Sequence, residues 1–159
     1  MTDDLVILAV KAHQVEPIVD DLTTLLGDGT VLIPMQNGIP WWYFQRHGGP
    51  HEGHCVHTVD PHGRIMKAVD PQRIIGCVVY PAAAIASPGV VKHIEGNRYP
   101  LGELDGTTTE RVTRAASLLA RLSSPLAIAR RRRSTSLLDC VTSTYIGFIC
   151  WIVASGVGW

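Results

Sequence analysis

The stretch "LVILAVKAHQ", residues 5–14, decides how the rest of the chain is read. Six apolar residues, three of them β-branched, precede a lysine and a polar turn. A run of that length and kind suits a strand buried on both faces, as in a parallel sheet. From Val15 the spacing changes. Val15, Ile18, Val19, Leu22, Leu25 and Leu26 fall on one helical face, and Gly27 and Gly29 end it. "TVLIPM" (30–35) is a second apolar run, closed by "QNG", and "IIGCVVY" (74–80) is a third, closed by Pro81. Strand, helix, strand, helix, strand over eighty residues predicts an α/β fold with a parallel sheet and crossover helices.

Between these runs the reading is coarser. Pro40 opens a predicted short helix through "PWWYFQR", with two of the four aromatic residues packing inward. Residues 47–62 are rich in Gly, His and Pro and read as a surface loop. Residues 65–69 predict another short helix. Val90–Glu95 and Tyr99–Leu101 read as antiparallel strands around the turn "GNR". Thr109 is the predicted N-cap of a helix whose inner face holds Val112, Ala116, Leu119 and Leu122.

Composition narrows the class. The chain has 159 residues, 46% of them apolar, enough for one domain with a sizeable core. Fourteen basic residues balance fourteen acidic ones, which argues against a protein that coats nucleic acid. Cys55, Cys77, Cys140 and Cys150 form no CxxC pair, and Asp3 and Asp4 replace the basic flank of a signal peptide. A reducing cytoplasm is the expected location.

In an open parallel sheet, ligands bind outside the carboxyl ends of the strands. Three such ends are marked here, by Lys11, by Gln36-Asn37-Gly38 and by Tyr80-Pro81-Ala82. A single lysine at a strand end is more often a solvated charge, and an isolated Asn-Gly more often only a turn. Convergence on one rim is what would give them a function.

Five stretches together, "VILAVKAHQ", "IPMQNGIPWWYF", "IIGCVVYPAA", "PGVVKHIEGNRYPLGE" and the helix beginning "TTERV", resemble ketopantoate reductase (2-dehydropantoate 2-reductase) from about Asp3 to about Leu122. The resemblance implies reduction of 2-dehydropantoate to pantoate by NADPH, on the route to pantothenate and coenzyme A. By the same resemblance Lys11, Gln14, Asn37 and Ala82 are cofactor-binding, and Asn37 also touches the substrate. The physical logic is independent of the family. Hydride delivery to a ketone builds negative charge on oxygen, and a cation or fixed amide dipole aimed there lowers the barrier.

The chain also departs from that family. No GxGxxG occurs in it; Gly27-Asp28-Gly29 begins the spacing and then fails. The expected fold is therefore a partial Rossmann-like sheet with an added antiparallel hairpin, lacking the first βαβ unit. The family's general-acid lysine and substrate-holding glutamate belong to a helical domain that the chain does not match, so no catalytic residue is assigned. Residues 1–123 form the expected partial NADP-binding domain, and 124–159 an unmatched tail.

The tail reads two ways. Resemblance stops near Leu122 and acidic residues become scarce beyond it, as a frameshift near Ala127–Arg130 would produce. Alternatively Cys140–Trp159, twenty uncharged residues behind Arg130–Arg133, forms a hydrophobic anchor, making a tail-anchored protein the rival class. Another NAD(P)-dependent dehydrogenase is the rival within the fold. An open sheet edge would favour homo-oligomers or aggregation. The six His and Cys side chains between His47 and His62 lack a rigid frame, so no metal is expected.

Overall fold

The computed structural model describes residues 5–123 and 151–154. β1 (Leu5–Leu8) pairs parallel with β2 (Val31–Pro34), Leu5 opposite Val31 and Leu8 opposite Pro34. All four β1 residues are 0–3% exposed, as expected of a strand covered on both faces. Alternation sends Leu5 and Ile7 to one layer, with Val31, Ile33, Ile75, Ala115 and Leu119. Val6 and Leu8 go to the other, with Val15, Leu22, Leu32, Trp41, Ile65 and Ile74. Burying each such side chain contributes about 1.5–3 kcal/mol. The result is a sheet between two layers, in an α/β architecture.

The crossover from β1 to β2 is shorter in helix than the periodicity predicts. Ala12–Gln14 and Glu16–Ile18 are 3-10 turns, and α1 covers only Val19–Thr24. Pro17 has no N–H to give a longer helix, so the regular ladder starts after it. The inward face is nevertheless as read: Val15, Ile18, Val19 and Leu22 are buried, and Leu25 and Leu26 pack beside them.

"PWWYFQR" is not a helix. Pro40 begins a series of turns, with Tyr43 N–H donating to Pro40 and Gln45 N–H to Trp42. Trp41 is 1% exposed and Trp42 packs against the same core, while Tyr43 is exposed. Both indole N–H groups are buried without a hydrogen-bond partner among the described residues.

α2 (Arg64–Ala68) starts from Gly63 at φ +65°, a residue with no side chain to cap the helix. Asp60, 0% exposed, does this from outside, its two carboxylate oxygens accepting from Ile65 N–H at 3.2 Å and Met66 N–H at 2.9 Å. Asp60→Ala leaves both donors unpaired and is expected to cost about 2 kcal/mol. Urea unfolding followed by circular dichroism measures this, and an unchanged midpoint would rule the cap out.

β3 (Ile75–Cys77) touches β2 through parallel bridges, Leu32 to Ile74 and Met35 to Cys77. The antiparallel part differs from the sequence reading. β4 (Ala82–Ser87) pairs with β5 (Val90–Glu95) around Pro88-Gly89, and β6 (Leu101–Glu103) pairs with β3. "GNR" is thus not the hairpin turn. Ala82–Ala86 has weak strand propensity, which hid β4 and left β5 without its true partner. Val78 N–H donates to Pro100 and Tyr80 N–H to Arg98, so the two pairs continue each other as one ribbon. Gly96, at φ +77°, sits at the joint, where an added Cβ would lie 2.7 Å from the Tyr80 carbonyl oxygen.

α3 (Glu110–Ser123) follows Thr109, whose hydroxyl accepts from Val112 N–H at 3.4 Å. Its buried side chains are Ala115 and Leu119, with Val112 and Leu118 half-covered. Ala116 faces solvent rather than the core, one position off the predicted face. Leu122's side chain lies outside the described residues.

The free edge of β1 expected from the sequence is occupied. β7 (Trp151–Ala154) pairs antiparallel with it, Leu5 opposite Ala154 and Leu8 opposite Trp151. The rest of the tail, including the expected frameshift point and most of the anchor segment, lies outside the described residues. No helix among the described residues is long and apolar enough to cross a membrane.

Candidate cofactor rim at the strand ends

The three marked strand ends adjoin. Parallel β1, β2 and β3 finish on the same side, and one tripeptide links them. Met35 N–H donates to Leu8 at 2.9 Å. Gln36 Nε2 donates to Val10 at 2.8 Å, holding the end of β1. Asn37 holds the end of β3: Nδ2 donates to the Val79 carbonyl at 2.9 Å, and Oδ1 accepts from Val79 N–H at 3.1 Å. Gly38, at φ +96°, then turns the chain away with open space beside it.

Lys11 stands on this rim, exposed, and makes no ion pair among the described residues. Gln14 is spent locally, its Oε1 accepting from the Lys11 backbone N–H at 2.9 Å to fix the turn after β1. Ala82 is half-buried and begins β4, three residues beyond the Asn37 contact. Ile39 and Tyr80 are exposed, and the Arg98 guanidinium lies 4.9 Å from the Tyr80 ring centre. Sequence reasoning missed the ties made by Gln36 and by Asn37 to Val79. "QNG" reads locally as a turn, and nothing in its spacing announces contacts to both neighbouring strands.

Other regions lend themselves less to chemistry. A cavity of about 300 Å³ opens at the far end of the sheet, lined by Thr30, Val31, Asp70, Arg73, Arg111 and Arg114. Its arginines are occupied: Arg111 by Glu103, Arg114 by Glu110, and Arg73 by the Gly27 carbonyl. In the histidine-rich loop, His47, His51 and His54 surround Phe44 with ring centres 5.6–5.8 Å away. Glu52 accepts from Arg46 and Gly48 N–H groups, and those bonds hold its carboxyl below the usual range. No three His, Cys, Asp or Glu side chains among the described residues group as a metal site. Burial pushes the Cys77 thiol up to about 11 and raises Cys55 as well, so neither offers a ready thiolate.

Residues 2–45, which contain β1, β2, Lys11 and Asn37, match the model of the ketopantoate reductase PanE/ApbA family. This part of the chain resembles a ketopantoate reductase. The likeness extends further than the matched segment. A 2-dehydropantoate 2-reductase of Mesorhizobium japonicum is 49% identical over 118 residues, 74% of this chain and 36% of the relative. A solved structure described as a ketopantoate reductase from Ralstonia solanacearum MolK2 superposes with a TM-score of 0.69 at 41% identity. It too is covered over 36% of its length, against 74% of this chain. The chain thus spans about a third of the ketopantoate reductases it matches.

Proposed function

We propose that residues 1–123 are the cofactor-side part of an NADPH-dependent 2-dehydropantoate reductase, a cytoplasmic oxidoreductase of pantothenate biosynthesis. The fold is then a partial Rossmann-like sheet, and 124–159 is a tail unmatched to the family, whose strand β7 borders β1. The tie between Asn37 and Val79 carries this reading, because it brings the ends of β2 and β3 to one rim beside Lys11. The residues fit one portion of the cofactor. Lys11 supplies positive charge beside an anionic ligand, and Asn37 keeps one unused N–H. When bound, the nicotinamide supplies the hydride. This chain's own contribution is to orient that group and the ketone against a fixed backbone.

The remainder of the binding energy is not legible in this sequence, which has no GxGxxG turn to receive a pyrophosphate. A positioned general acid is worth about 10²–10⁴ in rate, and no residue here is assigned that role. The purified chain is expected to bind NADPH weakly, more weakly still as Lys11→Ala, and to show no 2-dehydropantoate-dependent oxidation. NADPH fluorescence titration and absorbance assays measure both. Indifference of binding to Lys11→Ala would remove the proposed site, and sustained turnover would overturn the expected inactivity.

A further inference from the structure

We infer that the outer edge of β1 is a strand-acceptor site, which takes an extended, uncharged, β-prone segment and which the chain's own tail strand β7 fills in cis. Strand order and register carry this, independently of the function proposed above.

An edge that a protein leaves open carries devices against pairing: a charge, a proline or a bulge. The outer edge of β1 has none of them. Leu5, Val6, Ile7 and Leu8 are all apolar and 0–3% exposed, and they pair with β2 in unbroken register. The alternate N–H and C=O groups that point away from β2 are framed by apolar side chains, a template for a further strand. Topology agrees. β1, β2 and β3 follow one another in sequence and lie parallel and side by side. In a doubly wound sheet such a run is one half, and its first strand lies in the middle of the sheet, against the first strand of the other half. This edge is therefore interior by its place as well as by its residues.

β7 has the chemistry such an edge selects. Trp151, Ile152 and Val153 favour strands, and Ala154 adds neither charge nor proline. All four residues pair without a bulge, Val6 opposite Val153 and Ile7 opposite Ile152. The direction, though, is antiparallel, whereas a doubly wound sheet has a parallel neighbour there. The contact is thus strand addition by a tail unmatched to the family, and a second strand of the same chemistry competes for it.

The test uses the full 159-residue chain. N–H groups alternate sides along a strand, so one of Ile152 and Val153 donates to β1. Ile152→Pro/Val153→Pro removes that donor. Amide hydrogen exchange is expected to speed about tenfold or more at the β1 amides that face β7, with those that face β2 unchanged. Equal exchange along β1 in both proteins would overturn the inference.

A fluorophore-labelled peptide of residues 149–156 probes the vacated edge. Anisotropy is expected to show binding to the proline variant about tenfold tighter or more than to the wild-type chain, where β7 competes in cis. The same peptide with both prolines is expected to bind neither protein. No preference for the proline variant, or binding by the proline peptide, would remove the acceptor site.

If the proline variant fails to fold, Val6→Cys/Val153→Cys decides. Opposite residues of an antiparallel pair stand about 4.5–5.5 Å apart at Cα, within reach of a disulfide. Oxidised glutathione is expected to give a bridge within one chain, mapped by mass spectrometry. Val6→Cys/Trp151→Cys, two positions out of register, is the unbridged control. A bridge between two copies, or none, would overturn the placement of β7 in cis.

Discussion

Arg111→Ala is expected to destabilise the fold by about 3 kcal/mol at neutral pH. Arg111 donates from Nε to Glu103 Oε1 at 2.7 Å and from its terminal nitrogens to Glu103 Oε2 and the carbonyls of Gln72 and Ile74. It thus pins the first turn of α3 to β6 and to the entrance of β3. The Glu103 side chain is only 2% exposed, and Thr109 is the one other side chain bonding to it among the described residues. Removing the guanidinium strands a carboxylate away from water. Arg111→Lys keeps the charge but loses the fork, so an intermediate loss is expected.

The same pair has a pH signature. The Arg111 bond, with the Thr109 hydroxyl, holds the Glu103 carboxyl below its usual range despite burial. A carboxylate depressed in the folded state stabilises above its unfolded pKa, about 4.3, and that contribution fades as pH falls through the folded value. The gap between wild type and Arg111→Ala should accordingly narrow below about pH 4. Urea midpoints at pH 7 and pH 3.5 measure both effects. A gap under 1 kcal/mol at pH 7 would show that the ion pair is not holding α3.

Trp41→Ala is expected to cost about 4 kcal/mol, the usual range for emptying a large aromatic site. Trp41 is the largest fully buried side chain among the described residues, and the core cluster it belongs to draws on β1, β2, α1 and α2. A small domain has only about 5–15 kcal/mol in total, so the variant should sit near its unfolding midpoint in mild denaturant. Trp41→Phe separates packing from polarity. The indole N–H has no hydrogen-bond partner among the described residues, so losing it breaks no bond there, and a cost under about 1.5 kcal/mol is expected. Thermal melting followed by circular dichroism compares the three proteins. An alanine variant melting within about 2 °C of wild type would take Trp41 out of the core.

The parallel part of the fold was readable because its signal is local. Leu5–Val10 and 30–35 are continuous apolar runs, and no other element buries such runs in so short a length. The helical face from Val15 to Leu26 was visible for the same reason, though Pro17 shortened the helix that carries it. The ribbon was less readable. Its β4 is alanine-rich and almost wholly exposed, so neither propensity nor alternation marked it, and its partner was sought on the wrong side of β5. At the rim, residue types and positions were legible and their bonds were not. The strand ends marked Lys11, 36–38 and 80–82, and the resemblance singled out Asn37 and Ala82 within them, whereas the grip of Asn37 on Val79 spans 42 positions. Gln14 is placed along the adenosine half of the cofactor by resemblance alone, and its side-chain Oε1 bond to the Lys11 N–H, which fixes the turn carrying Lys11, was not legible either.

The ribbon beyond the sheet bears on how the molecule behaves in bulk. β4 and β5 pair only with each other among the described residues, and Ile85, Val90, Val91 and Ile94 are exposed along them. Both outer rails of such an arm offer unmatched backbone groups, with Lys92 and Glu95 as the charges nearby to discourage stacking. Crowding rather than heat is then the stress to which this part of the chain is least resistant.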